Sequence, residues 1–279
     1  MKIFTVIGAR PQFVKAAALS RVFQQYNDIE EIVVHTGQHF DYNMSEVFFE
    51  EMKIKKPSIN LDINGVSHGK MTGRMMEKLE EQMLLTKPDV VLIYGDTNST
   101  LAGSIAASKL GIKVAHVEAG LRSFNWEMPE EINRILTDRV SSFLFCPTDI
   151  AKKNLQLEGF DNFDARVDVV GDVMYDAALH YKAQIDVEDI AAWNLNEKYI
   201  LCTLHRAENT DSAEKLKIIV DTLNEIHQYE IQVVIPLHPR TKQKLIDYGL
   251  TLHVKLINPV GYFDMIKLMS NASLIMTDS

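Results

Sequence analysis

The chain has 279 residues, of which 46% are hydrophobic and 24% are charged, and its formal net charge is −9. This length exceeds what one hydrophobic core usually supports, so two domains are expected. The acidic balance, without any run of basic residues, argues against nucleic acid or an anionic membrane as the main partner. No apolar run approaches the ~18 residues of a membrane-spanning helix, and the chain begins with a strand pattern rather than a signal-peptide pattern.

The chain contains two cysteines, Cys146 and Cys202, and each lies at the apolar end of a strand-like run. Neither a CxxC motif nor a Cys/His spacing typical of metal sites is present in the sequence. We therefore expect buried free thiols, no metal site and a cytoplasmic protein.

Strand-like runs alternate with helical patterns over residues 1–172. The predicted strands are 2–7, 30–35, 89–94, 112–117, 142–146 and 167–170. The predicted helices are 11–26, 43–53, 67–86, 98–110, 129–142 and 148–158. This alternation is typical of βαβ units, which form a parallel sheet with helices on both faces.

A second alternating block follows a connector at 173–198. Its predicted strands are 199–204, 231–236, 253–257 and 273–277, and its predicted helices are 212–228, 240–248 and 262–271. The sequence thus predicts an α/β fold of two Rossmann-like domains, 1–172 and a nucleotide-binding domain at 199–279, with a cleft between them. Since a pattern typical of a central strand is followed only by Asp278 and Ser279, we expect the C-terminal domain to be truncated.

Three predicted strands of the first block end in loops that carry charged or phosphate-binding residues. These loops begin with Gly8-Ala9-Arg10-Pro11, Gly95-Asp96-Thr97-Asn98 and Glu118-Ala119-Gly120. In an open parallel sheet such strand ends face one crevice, which is where these folds bind ligands. Two cations and two carboxylates there suggest an anionic substrate that undergoes acid–base chemistry.

The first of these loops favours phosphate binding. Pro11 suits the first position of a helix, so Arg10 and Lys15 flank a helix N-terminus, where a bound phosphate is stabilised. The alternative is that both side chains reach solvent. The segment is neither a Walker A loop nor GxGxxG, so NTPase and dinucleotide interpretations lose support.

The carboxylates of the other loops have structural alternatives. Asp96 is a candidate for acid–base chemistry or substrate contact, and it also suits the cap of the following helix. Glu118 at a strand end requires a charged partner if it is buried, and Arg122 is the nearest candidate in sequence.

The predicted helix that begins at Pro129 carries two rows of residues. Its apolar face is expected to consist of Ile132, Ile135, Leu136, Val140 and Phe143. Glu130, Arg134 and Asp138 lie on a separate row with helical spacing and can pair along the helix.

In the second block, charged residues again follow two strands. His205 and Arg206 follow the strand at 199–204, and His238 and Arg240 follow the next one. Such residues suit a diphosphate. The HExxH arrangement of metalloproteases is absent from the sequence.

Seven motifs in register carry a specific resemblance that spans nearly the whole chain. With GARPQFVK, GDTNSTLAG, HVEAGLRS, MPEEINR, FCPT, VGDVMYDA and LHRAEN, the chain resembles the non-hydrolysing UDP-N-acetylglucosamine 2-epimerase family. The resemblance implies a GT-B-like arrangement of two Rossmann domains that binds a UDP-sugar.

The resemblance also implies site residues. Asp96, Glu118 and Glu130, the first Glu of the PEE motif, correspond to the family's catalytic carboxylates, with Arg134 close to them. His205 corresponds to the active-site histidine near the diphosphate.

The resemblance implies, in the same way, residues that bind the nucleotide-sugar end of the substrate. The resemblance implies that Arg10 and Lys15 bind this end, while Ser279 matches the serine that opens the nucleotide-contacting Asp-Ser-Gly-Gly loop.

The implied reaction is the interconversion of UDP-GlcNAc and UDP-ManNAc by elimination and re-addition of UDP, for cell-surface polysaccharide precursors. It implies no metal or redox cofactor, and a homodimer is expected from the family. The loop 258–262 differs from the best-known bacterial members, and 37–44 resembles a branch that includes epimerases of acidic diacetamido sugars. Alternatives are therefore an epimerase of a UDP-diacetamido uronic acid, a hydrolysing 2-epimerase releasing free ManNAc and UDP, a GT-B glycosyltransferase, or a non-enzymatic nucleotide-sugar sensor.

Overall fold

The computed structural model describes residues 1–38, 56–229 and 231–278. Its contacts divide the chain into two units, Met1–Ala177 and Ala178–Ser279. The helix predicted at 43–53 lies outside the described residues, as does Ser279. None of the described helices has the length and apolar composition that crossing a membrane requires.

The first unit alternates strands and helices. Its strands are β1 (Lys2–Ile7), β2 (Glu30–His35), β3 (Ile59–Asn60), β4 (Val90–Tyr94), β5 (Lys113–Val117), β6 (Phe143–Cys146) and β7 (Arg166–Val169). Its described helices are α1 (Arg10–Phe23), α2 (His68–Thr86), α3 (Asn98–Lys109), α4 (Pro129–Val140), α5 (Asp149–Leu157) and the start of α6 (Val173–Lys182).

The strands of the first unit form a parallel sheet with a reversal of strand order. Within the described residues the order is β3-β2-β1-β4-β5-β6-β7, and every pairing is parallel. Strand order therefore reverses between β1 and β4, and folds of this kind bind ligands beyond the strand ends at that point. The short β3 was missed because two residues give no detectable alternation.

The second unit repeats the plan on a smaller scale. It contains β8 (Tyr199–Thr203), β9 (Gln232–Pro236), β10 (Lys255–Ile257) and β11 (Leu274–Thr277), with helices α7 (Ala207–Thr210), α8 (Ala213–Gln228), α9 (Pro239–Asp247) and α10 (Tyr262–Asn271). Among the described residues the sheet order is β10-β9-β8-β11, again parallel throughout. The predicted α/β fold with two parallel sheets is confirmed.

The buried face of α4 differs from the prediction. Ile132 and Leu136 were expected to face the core, yet they are 40% and 44% exposed. The buried residues of this helix are instead polar, namely Glu131, Asn133, Thr137 and Asp138. Three of these side chains bond to groups of the neighbouring loops or of β5, so the helix buries its hydrogen-bonding face.

The main core of the first unit lies where α2 and α3 pack against the sheet. Met75, Leu79 and Met83 on α2 are 0–1% exposed and belong to one cluster with Phe4 of β1 and Ile93 of β4. The predicted buried free thiols are also confirmed, since Cys146 and Cys202 are both buried and unpaired within the described chain. Burial raises the pKa of Cys146 to about 12 and that of Cys202 to about 11.

Leu79→Ala removes a fully buried side chain, whereas Leu85→Ala on the same helix removes one that is 76% exposed. We expect Leu79→Ala to lower the free energy of unfolding by about 2–5 kcal/mol, because it loses apolar burial and leaves a cavity. Leu85→Ala is expected to change it by about 0.5 kcal/mol or less. Urea unfolding of both variants measures this difference, and equal midpoints would contradict the core assignment.

Candidate active site

Gln12, on the first turn of α1, joins the end of β1 to the end of β4. Its Oε1 accepts hydrogen bonds from the backbone N–H groups of Gly8 (2.8 Å) and Ala9 (3.0 Å). Its Nε2 donates to the carbonyl oxygen of Tyr94 (2.8 Å) and to Thr100 Oγ1 (3.0 Å). Since the side chain is 1% exposed, these bonds are shielded from water and hold the two strand ends together.

Gly8 lies where a side chain has no room. A Cβ atom at this position would collide with the hydroxyl oxygens of Ser99 and Thr36, which lie 2.8 Å apart. The β1–α1 loop therefore packs directly against the first turn of α3.

Lys15 and Glu118 form an ion pair at the switch point of the first sheet. The ammonium of Lys15, from α1, contacts the carboxylate of Glu118, which directly follows β5. Their side chains are only 11% and 14% exposed. A carboxylate so far removed from water requires a charged partner, and the fold supplies Lys15.

The alternative prediction, an ion pair between Glu118 and Arg122, is wrong. Arg122 instead binds Asp138 (2.8 Å) and Glu158 (2.7 Å). The backbone explains this change of partner, because Glu118 has φ +70° and its N–H and that of Ala119 both donate to the carbonyl of Phe145. A left-handed conformation is costly for a non-glycine residue and is found preferentially at functional sites.

Gly95 lies against this ion pair. A Cβ atom here would lie 3.2 Å from Glu118 Oε2 and 3.3 Å from Lys15 Nζ. Gly95 also has φ +64°, a conformation that glycine adopts readily. The backbone that leads into Asp96 therefore adjoins the Lys15–Glu118 pair.

Asp96 belongs to a second ion pair, with Arg134 of α4. Its backbone carbonyl also accepts a hydrogen bond from Asn133 Nδ2 (2.9 Å). Asp96 is not the cap of α3, because Thr97 holds that position and accepts from the N–H of Thr100. The Asp96 carboxylate is one-third exposed, so it is accessible to a ligand.

Glu131 is a site residue that sequence reasoning missed. It is 1% exposed, and it accepts hydrogen bonds of 2.9 Å from Ser123 N–H, Ser123 Oγ and Phe124 N–H, and one of 2.8 Å from Arg134. Burial opposes its charge, but these hydrogen bonds and the Arg134 charge prevail and lower the pKa of Glu131. Glu131 thus holds both the 122–125 loop and the guanidinium that contacts Asp96.

Its neighbour Glu130 has the opposite environment. Glu130 is exposed on the first turn of α4 and makes no hydrogen bond or ion pair with any described residue. The expected pairing along Glu130, Arg134 and Asp138 is therefore wrong, because Arg134 and Asp138 bind partners outside their row. Of the two adjacent glutamates, Glu131 is structural and Glu130 has a carboxylate available to a ligand.

Two further predicted residues, Arg10 of the first unit and Ser279 of the second, remain to be located. Arg10 is the first residue of α1 and is partly buried. Ser279 lies outside the described residues.

In the second unit, His205 lies after β8 at the reversal of strand order. The backbone N–H groups of His205 (3.0 Å) and Arg206 (2.8 Å) donate to the carboxylate of Asp278, which follows β11. Burial raises the pKa of Asp278, but these N–H groups and Asn209 prevail and lower it. Asp278, which sequence reasoning used only to mark the chain end, thus joins the two loops, and the His205 ring is 46% exposed.

His238 and Arg240, the other two basic residues that follow a strand of the second unit, bind groups of the protein. The ring of His238 caps α9 by accepting from the N–H of Arg240 (3.2 Å), and Arg240 pairs with Asp211 (2.6 Å). A cavity of about 650 Å³ adjoins the 258–261 loop, with Trp193 and Lys255 in its wall.

Comparisons with known proteins point to one family. The family model described as UDP-N-acetylglucosamine 2-epimerase matches residues 21–279. A UDP-2,3-diacetamido-2,3-dideoxy-D-glucuronate 2-epimerase of Pseudomonas aeruginosa is 55% identical, over 100% of this chain and 78% of that protein.

The chain belongs to the UDP-N-acetylglucosamine 2-epimerase family.

Solved structures of other epimerases support the same assignment. The Methanocaldococcus jannaschii UDP-GlcNAc 2-epimerase, in complex with UDP-GlcNAc and UDP, is 45% identical with a TM-score of 0.87, over 100% of this chain and 79% of that one. The Neisseria meningitidis UDP-GlcNAc 2-epimerase, bound to UDP-GlcNAc, is 33% identical with a TM-score of 0.88, over 100% of this chain and 78% of that one. This epimerase is therefore an enzyme with the α/β fold of its family.

The two adjacent glutamates of the epimerase are expected to respond differently to substitution. Glu131→Gln should lower the free energy of unfolding at neutral pH by about 2 kcal/mol, because a buried charged acceptor is lost. Glu130→Gln, at an exposed position, is the matched control and should change it by about 0.5 kcal/mol or less.

The Glu131 effect should also depend on pH. Since the folded-state pKa is lowered, the stabilisation is complete above the ordinary glutamate pKa, about 4.3, and is lost as the pH falls through the folded-state value. Chemical unfolding at neutral and acidic pH measures the gap between wild type and Glu131→Gln. A gap that stays constant or widens on acidification would contradict the role of this carboxylate.

Proposed function

We propose that this epimerase inverts C2 of a UDP-2-acetamido sugar by eliminating UDP and adding it back. The observation that supports this most strongly is the adjacency of two ion pairs, Lys15–Glu118 and Asp96–Arg134, beyond neighbouring strand ends of a parallel sheet. Such strand ends bind ligands in this class of fold. The arrangement offers carboxylates for proton transfer beside cations for a diphosphate.

Elimination follows from the chemistry of the sugar. The hydrogen at C2 is not acidic because no carbonyl is attached to that carbon, so direct deprotonation requires an implausibly strong base. In the elimination, the C1–O bond breaks with its electron pair leaving on UDP, and the C2 proton is removed to give a 2-acetamidoglucal. A proton then adds to C2 from the opposite face and UDP adds back to C1.

Carboxylates and cations have separate tasks in this reaction. The sugar ring gains positive charge as UDP departs, and the carboxylates of Asp96, Glu118 and Glu130 stabilise that charge. We propose that one carboxylate removes the C2 proton and that another group delivers a proton from the opposite face. The exposed carboxylate of Glu130 and the one-third-exposed carboxylate of Asp96 suit contact with substrate.

The departing diphosphate requires positive charge. We propose Arg10, Lys15 and His205 for this task. Arg134 is proposed to orient Asp96, and Ser279 is proposed to contact the nucleotide. Lys15 suits the task because it lies near the start of α1, whose N-terminal peptide dipoles also stabilise an anion. The cavity beside the 258–261 loop is proposed to receive the uridine.

A second substrate deserves testing alongside UDP-GlcNAc. The Pseudomonas aeruginosa relative named as a UDP-2,3-diacetamido-2,3-dideoxy-D-glucuronate 2-epimerase is 55% identical, whereas the Methanocaldococcus jannaschii UDP-GlcNAc 2-epimerase is 45% identical. Both substrates have an acetamido group at C2, so the same elimination applies to each. A homodimer and a cytoplasmic location stay predictions.

NMR in D₂O with either UDP-sugar as the only substrate tests the proposal. We expect deuterium at C2 and a UDP-linked epimer, since the proton is exchanged and no acceptor is required. The larger kcat/KM of the two substrates identifies the preferred one. Free sugar accumulating in proportion to turnover, or dependence on an acceptor, would instead support the hydrolase or the glycosyltransferase.

Glu118→Gln should lower kcat by about 100-fold or more, because a carboxylate involved in proton transfer is neutralised. Glu80→Gln is the control, since Glu80 is exposed on α2. Rates of C2 deuteration measure both variants, and unchanged exchange in Glu118→Gln would contradict its catalytic role.

A further inference from the structure

His116 lies on β5, two residues before Glu118, and its side chain is fully buried. Its Nδ1 lies 2.7 Å from Asp138 Oδ1. Its Nε2 lies 2.7 Å from the backbone carbonyl oxygen of Gly95. Both ring nitrogens are therefore at hydrogen-bond distance from oxygen atoms.

These two partners determine the protons on the ring. A carbonyl oxygen can only accept, so Nε2 must donate to Gly95. The Asp138 carboxylate also accepts at Oδ2 from Gly120 N–H (3.1 Å) and from Arg122 Nη1 (2.8 Å), and the adjacent Arg122 charge favours its charged form. A charged carboxylate can only accept, so in this form Nδ1 donates as well and His116 carries both protons.

The surrounding charges balance such an imidazolium. The side chain of Arg122 is 1% exposed and binds both Asp138 and Glu158, the latter through two nitrogens at 2.7 and 2.9 Å. His116 and Arg122 supply two positive charges, and Asp138 and Glu158 supply two negative charges. A neutral His116 would leave three charges that do not cancel, and it would set one ring nitrogen against an oxygen without a proton between them.

The contact to Gly95 connects this cluster to the candidate active site. The carbonyl held by His116 belongs to the peptide that links Gly95 to Asp96. On its other side, Gly95 adjoins the Lys15–Glu118 ion pair. The orientation of this peptide therefore affects both the direction of the Asp96 side chain and its spacing from Glu118.

We propose that His116 is a positioning residue whose doubly protonated ring fixes the Gly95–Asp96 peptide and thereby sets Asp96 against Glu118. The catalytic part of this inference rests on the proposed epimerisation. The protonation state does not, so the two parts are tested separately.

The protonation state is tested by NMR of the wild-type protein labelled with ¹⁵N histidine, with His116→Asn used to assign the signals. We expect both ring nitrogens of His116 to show a directly bonded proton at neutral pH, with slow exchange because the ring is buried. One nitrogen without a bonded proton would overturn the proposal. The protonation state is read from the wild-type protein, and His116→Asn serves only to assign the signals.

Two variants separate positioning from simple structural support. His116→Gln retains a donor near the position of Nε2 and can still bind the Gly95 carbonyl, whereas His116→Asn retains one only near Nδ1. We expect His116→Asn to lower kcat about 100-fold with KM changed little, because a small displacement of a catalytic group costs this much. His116→Gln should recover about tenfold or more of the lost kcat, because its side-chain amide can still donate to the Gly95 carbonyl.

The variants should also be compared by chemical unfolding. A purely structural role predicts kcat losses that follow the losses of stability, and equal kcat in the two variants at equal stability would overturn positioning. If the wild type exchanges no C2 hydrogen on either UDP-sugar, the proposed function fails while the NMR result stands. If the wild type is active and His116→Asn retains its full kcat, the positioning proposal fails while the function stands.

Discussion

The geometry of the first unit depends on the ion pair between Lys15 and Glu118. Both side chains are nearly removed from water, so neither charge is tolerable without the other. Lys15 comes from the helix after β1 and Glu118 from the end of β5, with β4 between these strands in the sheet. A residue pair far apart in sequence is therefore adjacent because of strand order, and the reversal of that order places it where ligands bind.

Around this pair, hydrogen bonds rather than apolar contacts determine the positions of loops. Gln12 binds the end of β4, Glu131 holds the loop before α4, and His116 binds the Gly95 carbonyl. Each of these side chains is almost completely buried, so each bond is costly to break. The one-third-exposed carboxylate of Asp96 is held by this framework through Arg134 and Asn133, and a carboxylate fixed in this way suits the proposed proton transfer.

The sequence was sufficient to predict the fold, because apolar runs that alternate with helical patterns along the chain indicate buried parallel strands. The same argument located the loops with Asp96, Glu118 and His205, since charged residues at strand ends are recognisable without coordinates. Partners were harder to predict. Glu118 pairs with Lys15 rather than with the nearer Arg122, because pairing follows the sheet order and not distance along the chain.

The prediction of the buried face of α4 was wrong for a related reason. Apolar periodicity identified Ile132 and Leu136, but the helix packs against loops whose N–H and carbonyl groups require polar partners. Glu131 was detectable only as the second glutamate of a first turn, and nothing local distinguishes it from Glu130. The same holds for Asp278, whose role depends on β11 lying beside β8.

The central claim is that Lys15 and Glu118, although proposed to contact different parts of the substrate, depend on each other, because neither buried charge is stable without its partner. A double-mutant cycle measures this directly, with the rate of C2 hydrogen exchange determined for wild type, Lys15→Met, Glu118→Gln and the double variant. If the pair acts as a unit, the double variant should be no slower than the slower single variant. Losses that multiply in the double variant would show independent residues and contradict the account.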